Sequence, residues 1–534
     1  MDIPRNPSGA SHPHSETDYG AALDDLSQTP SSMPRSFTEH VGDFVGSYSR
    51  ASLAHMASTV PIASSPGTLH SKQSYIEEGA PLFVGDDTGH VFRDRTDSIG
   101  RIDETTSLLS AVHNESLSRI MTTSTVTSYP DTKQHQSSFI QAVFNSVNIL
   151  TGIGILAMPL GLRIAGWVIG ITVFFFCFII TNYTAKLLAT CLDKDTNAQT
   201  YGDIGALAFG VRGRIWISCI FVVELLAVSV ALVIFLSDEI EALFGDLNPL
   251  LVRAIAFIVL TPMLFVSVRQ LSYASILGIM IALTILFVMV TDGLSKPHAP
   301  GSLLEPAYTE LWPSDWKTVP MSFGLIMAGF AGHSVFPTIY RSMERPEKYS
   351  TVVNWTYVAT ALFYLAVSVC GYLMFGLDVM QEITQNLISV PEYNRTLNLI
   401  MIWFLALNPV AKYGLTLHPV KLTWHRVLFR DLRLDRWCGS SVWRRRLVST
   451  LGTVGLSAAV VVIAYLVPDF DKVMGLLGAF FAFMISVIFP VCCYLRLYGD
   501  SVTSWQWTIH VGLLLLSAAI GISGTFASFA PRDS

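Results

Sequence analysis

The sequence predicts an all-α integral membrane protein in which eleven transmembrane helices follow a disordered N-terminal tail. Of its 534 residues, 51% are hydrophobic and 14% are charged, whereas soluble domains carry about 25% charged residues. Apolar runs recur from Phe139 onward, each close to the ~20 residues that a helix needs to cross a hydrocarbon core of about 30 Å. The chain therefore divides into a tail at 1–138 and a transmembrane domain at 139–534.

The tail is predicted to be cytoplasmic and to serve regulation or sorting. It is rich in Ser, Thr, Pro, Gly, His and Asp, and a segment without sustained apolar periodicity cannot bury a core. One motif stands out, in which Glu104 precedes the pair Leu108-Leu109 by four residues. It resembles the acidic dileucine signals that vesicle-sorting adaptor complexes bind on proteins bound for lysosomes and vacuoles. A chance occurrence of the motif is the alternative.

Eleven candidate spans follow the tail, each bounded by polar or helix-breaking residues. The polar step Arg269-Gln-Leu-Ser272 divides spans four and five, and the turn at 468–471 divides spans nine and ten. The spans lie near residues 139–163, 166–190, 215–236, 250–268, 273–292, 320–340, 353–375, 396–420, 447–467, 472–495 and 505–530.

The charges between the spans predict the orientation. Loops on the side of the tail are basic, above all the run 421–446, and Lys and Arg accumulate on the cytoplasmic side of membrane proteins. The N-terminus is therefore expected in the cytoplasm and the C-terminus in the lumen or outside. Arg163 and Arg253 are interpreted as snorkelling anchors at helix ends. The opposite loops are acidic, with Asp238, Glu239, Glu241, Asp246, Glu305, Glu310, Asp315, Asp378, Glu382 and Glu392.

Two spans carry the same helix-breaking pattern. In segments 151–159 and 328–337, a glycine (Gly154, Gly332) is followed five residues later by a proline (Pro159, Pro337), and both pairs are offset by 178 residues. Glycine and proline disfavour helix interiors, and an unpaired backbone group is costly in hydrocarbon. Paired interruptions of this kind are typical of the binding site of a secondary transporter. The alternative is that the glycines only permit close helix packing.

The interrupted segments also carry a family resemblance. The string FNSVNILTGIGILAMP at 144–159, with the continuation at 161–167, resembles the first helix of the amino acid/auxin permease family. The strings GHSVFPTIYRSM at 332–343 and VNWT at 353–356 look most like the fungal vacuolar amino acid transporters. That branch is akin to the vesicular inhibitory amino acid transporters. The resemblance covers residues 139 to about 530.

The resemblance implies a LeuT-like fold, with spans one to five and six to ten as inverted repeats and span eleven added. It implies a secondary active transporter that moves amino acids across the vacuolar membrane by alternating access, with the proton as coupling ion and no cofactor. Direction, import or export, stays open. Neutral amino acids are expected, because no unpaired charge is clearly dedicated to a substrate side chain.

An amino acid brings a carboxylate and an ammonium group, and the two breaks offer partners for both. Backbone N–H groups and the positive end of a half-helix in the first segment would bind the carboxylate. Carbonyl groups in the second would accept hydrogen bonds from the ammonium. The predicted substrate-binding residues are Asn148, Thr151, Gly152, Ile153 and Gly154 in the first segment and Gly329, Phe330, Ala331 and Gly332 in the second.

Three ionisable residues lie within spans, where such groups are costly and usually functional. Lys412 is predicted to supply a fixed positive charge where related carriers bind a cation, and Glu224 or His333 to carry the proton. The alternatives are a structural ion pair between Lys412 and Glu224, and a purely structural hydrogen bond from His333 to a carbonyl freed by the break.

Other functions find little support in the sequence. His418 and His425 have no third metal ligand at a suitable spacing, and no phosphate-binding loop occurs. The net charge of −6 gives no indication of a nucleic-acid partner. The spans lack the motifs of intramembrane enzymes, so no enzyme is expected. The second hypothesis is an amino acid sensor that signals through the tail.

Overall fold

The computed structural model describes residues 137–245, 247–266, 277–429, 437 and 441–530. The sorting motif predicted at Glu104, Leu108 and Leu109 lies outside these residues, as does almost the whole predicted tail. The described chain is helical, and its α-helices are α1 (Phe139–Leu150), α2 (Met158–Leu192), α3 (Tyr201–Phe244), α4 (Pro249–Leu260), α5 (Leu277–Ser295), α6 (Val319–Gly329), α7 (Phe336–Ser342), α8 (Tyr349–Phe375), α9 (Ile383–Ser389), α10 (Arg395–Leu428), α11 (Val442–Leu466), α12 (Phe470–Leu476), α13 (Phe489–Tyr498) and α14 (Ser504–Phe529).

Shorter 3₁₀ and π segments join some of these helices. The stretch between α12 and α13 is π-helical, at Leu477–Ala482 and Met484–Ile488. It joins the two helices into one continuous helical segment. The 3₁₀ turns are Ile153–Ala157, Thr261–Phe265, Pro346–Lys348, Gly376–Asp378 and Gly499–Ser501.

Eight of the described helical segments are long and apolar enough to cross a membrane, and three shorter apolar helices accompany them, at Phe139–Leu150, Pro249–Phe265 and Val319–Gly329. The chain is thus a multi-pass helical membrane protein. The count of eleven spans stays a prediction.

The structure joins the end of predicted span one, from Met158, and the whole of predicted span two into the single helix α2. A sharp bend at Gly166, where φ is 69°, divides this helix at the predicted boundary. The bend is fixed by the segment before α6, because Trp167 N–H donates to Glu310 O at 3.1 Å and Val168 N–H donates to Leu311 O at 3.0 Å. A Cβ atom at Gly166 would lie 2.8 Å from the Trp312 backbone. Only glycine therefore fits this position.

Predicted span three, at 215–236, is too short at both ends, because α3 runs from Tyr201 to Phe244. Its start is set by a capping box in which Thr200 and Asp203 bond each other's backbone. Gly210, with φ 68°, bends the helix nine residues later. Arg214 beyond the bend pairs with Asp203 before it. The first turns of α3 thus form a separate, bent arm.

The helices that carry the two breaks lie at the centre of the bundle. Helix α6 packs against α2, against the π-helical stretch and against α14, while α8 packs along α2 and α1. Gly324 and Gly478 bring α6 and the π-helical stretch into backbone contact, since a Cβ at Gly478 would overlap the Gly324 carbonyl oxygen. The broken helix α6 is thus packed between α2, α14 and the π-helical stretch.

On the side predicted to be cytoplasmic, the chain ties its two halves together before α1 begins. Ser137 N–H donates to Ser342 O at 2.7 Å, and Glu344 N–H donates to Ser137 O at 3.0 Å. The start of the first broken helix is thereby bonded to the end of α7. Arg341 extends this contact, because its guanidinium donates to the carbonyl groups of Leu192, Asp195 and Ala198.

Candidate functional site

The first break lies between α1 and α2. Helix α1 ends at Leu150, where the Thr151 N–H and hydroxyl both donate to Val147 O at 2.8 Å. Gly152 is extended, with φ −112° and ψ −164°, and the chain resumes as a short helix at Ile153–Ala157 without a side-chain cap. Pro159 occupies the first turn of α2, where its missing N–H costs nothing. The first break is therefore the pair Thr151-Gly152.

The second break separates α6 from α7. Helix α6 ends at Gly329, residues 330–335 form turns, and α7 begins at Phe336 with Pro337 in its first turn. Within the break, Val335 N–H donates to Gly332 O at 3.1 Å and Phe336 N–H donates to His333 O at 3.3 Å. The start of α7 has no side-chain cap. Both breaks thus end in uncapped helix starts, which favour negative charge.

The two broken helices touch through glycine. A Cβ atom at Gly154 would lie 3.0 Å from Gly329 Cα and 3.1 Å from Gly329 N, and one at Gly332 would lie 2.8 Å from the Leu150 side chain. These glycines are therefore required for close packing, which was one of the two interpretations of the sequence. The packing brings the predicted substrate-binding residues of both segments to one place in the bundle.

Tyr364 of α8 joins the two breaks, and the sequence analysis missed it. Its hydroxyl lies 2.5 Å from Leu150 O and 3.0 Å from Gly329 O, and it also contacts the Gly152 backbone. A tyrosine hydroxyl has one proton to donate, so the two carbonyl groups share it. The residue is fully buried. One side chain thus offers a single proton to carbonyl groups of both interrupted helices.

A regular spacing along α8 could have revealed this residue. Tyr349, Tyr357, Tyr364 and Tyr372 recur every seven or eight residues, a spacing that places side chains on one face of a helix. All four are buried in the structure. When several tyrosines lie on one face of an apolar span, their buried hydroxyls need hydrogen-bond acceptors. This need indicates from the sequence that α8 contacts free backbone carbonyl groups.

Lys412 lies against the other side of the first break. Its Nζ atom donates to Thr151 O at 3.4 Å. A Cβ atom at Gly278 of α5 would lie 2.7 Å from Asn148 Oδ1, 3.4 Å from Thr151 O and 3.7 Å from Lys412 Nζ. Helices α1, α5 and α10 therefore bring together the Asn148 amide oxygen, the Thr151 carbonyl and the Lys412 ammonium group. The ammonium also faces the negative end of α1.

The structural ion pair between Lys412 and Glu224, kept open as an alternative, does not form. Within the described residues, no ion pair joins the two side chains; the ion pairs found there are Arg214–Asp203, Lys296–Glu392, His298–Glu305 and Lys472–Asp469. Glu224 instead lies within electrostatic reach of Tyr201, whose hydroxyl donates to Ile485 O. The structure thus brings Lys412 to the breaks and leaves Glu224 elsewhere.

His333 connects the second break to α2. Its Nε2 atom lies 3.0 Å from Thr181 O and 2.9 Å from Thr184 Oγ1, and its ring is fully buried. A carbonyl oxygen only accepts hydrogen bonds, so Nε2 carries the proton and Nδ1 is left as an acceptor. Nδ1 has no hydrogen-bond partner in the part of the chain that the structure describes. The acceptor of Nε2 belongs to α2 rather than to the break itself.

A cavity opens beside the first break on the side predicted to be lumenal. Its volume is about 550 Å³, and Leu160, the residue after Pro159, lines it together with Arg163 and Asp471. Arg163 Nη1 donates to Val379 O at 2.9 Å, which fixes this side chain at the wall of the cavity. The cavity thus reaches the first turn of α2, eight residues after Gly152.

Residues 135–530 match the family described as transmembrane amino acid transporter protein. Amino acid transporter AVT1E of Arabidopsis thaliana is 33% identical over 408 residues, which cover 74% of this chain and 73% of that protein. The vesicular GABA transporter of Caenorhabditis elegans is 22% identical over 411 residues, which cover 73% of this chain and 79% of that protein.

Solved structures align with the helical bundle at low identity. MhsT in complex with L-phenylalanine has a TM-score of 0.45 and 11% identity, and the alignment covers 75% of this chain and 99% of MhsT. The inward-facing conformation of Mhp1 has a TM-score of 0.41 and 12% identity, with 74% of this chain and 89% of Mhp1 covered.

Proposed function

We propose a transport function from one premise, that this chain belongs to the family of transmembrane amino acid transporter proteins. Membership in this family makes the chain a transporter rather than an enzyme. Our proposal is that it is a secondary active transporter that moves neutral amino acids, coupled to protons, by alternating access around the two breaks. The membrane we propose is that of a vacuole or lysosome-like organelle, in keeping with the resemblance at 332–343 and the dileucine motif at 104–109.

The observation that carries the proposal is the meeting of two broken helices at one point. The uncapped start of the short helix at Ile153 offers N–H groups to a carboxylate. The carbonyl groups of Leu150 and Gly329 converge on one hydroxyl, that of Tyr364. An ammonium group carries three N–H donors, whereas the tyrosine hydroxyl carries one O–H donor. A substrate ammonium would therefore satisfy both carbonyl groups when the helices part.

Proton coupling rests on Lys412, Glu224 and His333. The Lys412 ammonium beside Thr151 O occupies a position where a carrier of this architecture would otherwise need a bound cation. A positive charge of the protein itself at this place would remove the need for sodium and leave the proton as the coupling ion. His333, with an open Nδ1 acceptor beside the second break, and Glu224 within α3 are the groups that we propose to accept the proton.

The test is gradient-driven transport by the purified chain in proteoliposomes. A mixture of labelled amino acids is offered with an inside-acid pH gradient, and accumulation or efflux is measured with the gradient imposed and collapsed. We expect a flux that depends on the gradient, reduced at least about tenfold in Lys412→Ala, because the first break loses its fixed positive charge. Glu224→Gln and His333→Gln identify which group carries the proton.

Lys421→Ala is the matched control. Lys421 lies on the same helix, is half-buried and likewise donates to a carbonyl group, Leu264 O at 2.7 Å, away from the breaks. It should keep the gradient-dependent flux. The absence of amino acid flux in either direction, with a gradient imposed and the protein folded, would refute the transport proposal.

A further inference from the structure

Three carboxyl groups, two buried and one half-buried, lie together at the end of α3 that faces the predicted lumenal side. Asp238 and Glu239 lie in the last turns of α3, and Glu382 precedes α9. Glu239 is 1% exposed and Glu382 is fully buried. Both carboxyl oxygens of Glu239, and Oε1 of Glu382, have no hydrogen-bond partner within the described residues. The donor found there is weak, since Thr384 Oγ1 donates to Glu382 Oε2 at 3.5 Å. An ionised carboxylate with so few donors is costly to bury.

The charges around the three groups do not compensate them. Arg253 of α4 is 6% exposed and its charge acts on Asp238. Its Nε and Nη1 atoms have no hydrogen-bond partner in the described part of the chain. Glu241 and Asp469 add negative charge near Asp238, and Asp469 is itself paired with Lys472 at 2.5 Å. One buried arginine thus acts on Asp238, and no positive charge is found to act on Glu239 or Glu382 within the described residues. Arg253 also lies inside the protein, so its interpretation as a snorkelling anchor is wrong.

Two of the carboxyl groups are in contact with each other. Asp238 and Glu382 lie within hydrogen-bonding reach, and two ionised carboxylates cannot form a hydrogen bond because both only accept. One of them must hold a proton in this arrangement. Burial, and then the charges of Asp238 and Glu239, raise the pKa of Glu382 well above its usual range. A proton on one of the two groups therefore supplies the donor in the contact between Asp238 and Glu382.

The carboxyl groups hold a segment that covers the first break. We call residues 379–389 the outer lid. Its helix α9 packs against the short helix that follows the first break, and Gln385 Nε2 donates to Asp238 Oδ2 at 3.4 Å. Val379 and Gln385 of the lid line the 550 Å³ cavity together with Leu160. Gln385 thus joins the cavity to Asp238, and the lid stands between the first break and the cavity.

We propose that Asp238, Glu239 and Glu382 form a proton-binding site that fastens the outer lid to α3. With the protons bound, the buried carboxyl groups are neutral and bond one another, and the lid stays closed. With the protons lost, like charges repel across the contact between α3 and the lid, and the lid is released. The role of this site in transport rests on the proposed function, but the site itself does not.

The direction of the pH dependence follows from the raised pKa of Glu382. An acid that is harder to ionise when the lid is closed binds its proton more tightly in that state, so low pH favours the closed lid. This preference is lost as the pH rises from the ordinary glutamate pKa of about 4.3 through the raised one. Within that window each proton lowers the ratio of closed to open lid by up to about tenfold per pH unit.

The test is hydrogen–deuterium exchange of the lid backbone by mass spectrometry. The full chain is placed in lipid nanodiscs without substrate or gradient, and exchange is compared at about pH 5 and about pH 7.5 after correction for the intrinsic rates. We expect protection of residues 379–389 to fall at least about tenfold at the higher pH. In the double variant Glu239→Gln/Glu382→Gln, which carries permanent neutral amides, protection should be the same at both values.

Asp378→Asn is the matched control. Its carboxyl group is exposed and lies four residues before Glu382, so the variant should behave like the wild type. If the double variant does not fold, the single variant Glu382→Gln gives the same readout. Equal protection of the wild type at both pH values, or an unchanged pH response in the variants, would overturn the proposal. Since no substrate is present, a failure of the transport assay leaves this test unaffected.

Discussion

Tyr364 shows how one side chain can hold two interrupted helices in register. Its single hydroxyl proton is shared between Leu150 O and Gly329 O, the last carbonyl groups of α1 and α6. Two buried acceptors with one donor are under-satisfied, and a buried group without its hydrogen bond costs about 1–3 kcal/mol. The site is therefore ready to receive a ligand with more donors than a hydroxyl.

Substitution of Tyr364 by Phe tests this reading. The variant keeps the ring and removes the donor, so we expect a lower melting temperature without substrate and a larger stabilisation by added amino acid than in the wild type. The physical reason is that the ammonium group supplies the donors that the carbonyl groups have lost. The measurement is thermal unfolding of the purified chain with and without a saturating mixture of neutral amino acids.

Tyr372→Phe serves as the comparison, because Tyr372 lies on the same helix and its hydroxyl accepts from Glu310 N–H at 2.8 Å, away from the breaks. Its loss of stability should not be recovered by amino acid. Equal stabilisation of both variants would contradict a role of Tyr364 at the substrate ammonium.

For single residues, the sequence indicated where the helix breaks lie but not which side chains contact them. The glycines and prolines of the breaks could be predicted because their effect on a helix is local. The acceptors of Tyr364 could not, since they lie 214 and 35 residues away in the chain and depend on the rotation of α8. Arg253 was misread for the same reason: a residue near a helix end looks like a surface anchor until the buried carboxyl groups of α3 and the lid are placed beside it.

Among the elements, the contact of the short helix with α6 at Gly154 and Gly329 is the tightest link between the breaks. A methyl group at Gly154 would meet backbone atoms of Ala328 and Gly329 at 3.0–3.3 Å. Backbone cannot move aside as a flexible side chain can. The two interrupted helices must therefore separate before anything larger than hydrogen fits between them.

Gly154→Ala should destabilise the protein by about 1–3 kcal/mol, the usual cost of overpacking. Gly455→Ala, in the interior of α11 with no atom within 4 Å of the added methyl group, should be neutral or stabilising, because alanine favours a helix more than glycine by up to about 1 kcal/mol. The measurement is thermal unfolding of both variants in the same detergent. A Gly154→Ala variant as stable as Gly455→Ala would contradict the contact.

Helix ends were less predictable than helix existence. An apolar run predicts a span, yet Gly166 and Gly210 bend α2 and α3 without ending them, and hydropathy does not distinguish a bend from a loop. The bend at Gly166 depends on hydrogen bonds from the segment at 310–311, which is distant in sequence. The cap at Thr200 is local, and closer attention to the Thr200/Asp203 capping box would have predicted where α3 begins.

For the whole molecule, the family, the helical membrane class and the two breaks were all predictable, because each leaves a pattern within a short stretch of chain. Inverted repeats, orientation and substrate choice are properties of the assembled bundle and stay predictions. The tail is the part of the chain whose role the sequence alone addresses. There the prediction is one of location rather than of transport.

Substitution of Leu108 and Leu109 together by Ala should move the protein away from the vacuolar membrane without changing its transport activity in proteoliposomes. The reason is that adaptor complexes would bind the leucine pair in the cell, whereas reconstituted transport needs only the membrane domain. The measurement is fluorescence microscopy of the tagged chain. Leu117→Ala, a single tail leucine without a leucine neighbour, is the control, and an unchanged location of the double variant would argue against a sorting signal.

The hydrogen bonds between Ser137 and the stretch Ser342–Glu344 have a mechanical consequence. The tail joins the membrane domain at Ser137, whose backbone hydrogen bonds connect the start of α1 to the end of α7. A partner that pulls on the tail would act first on these hydrogen bonds and only then on the rest of the helical bundle. Tension on the tail would therefore favour the separation of the two helix ends that the Ser137 hydrogen bonds join.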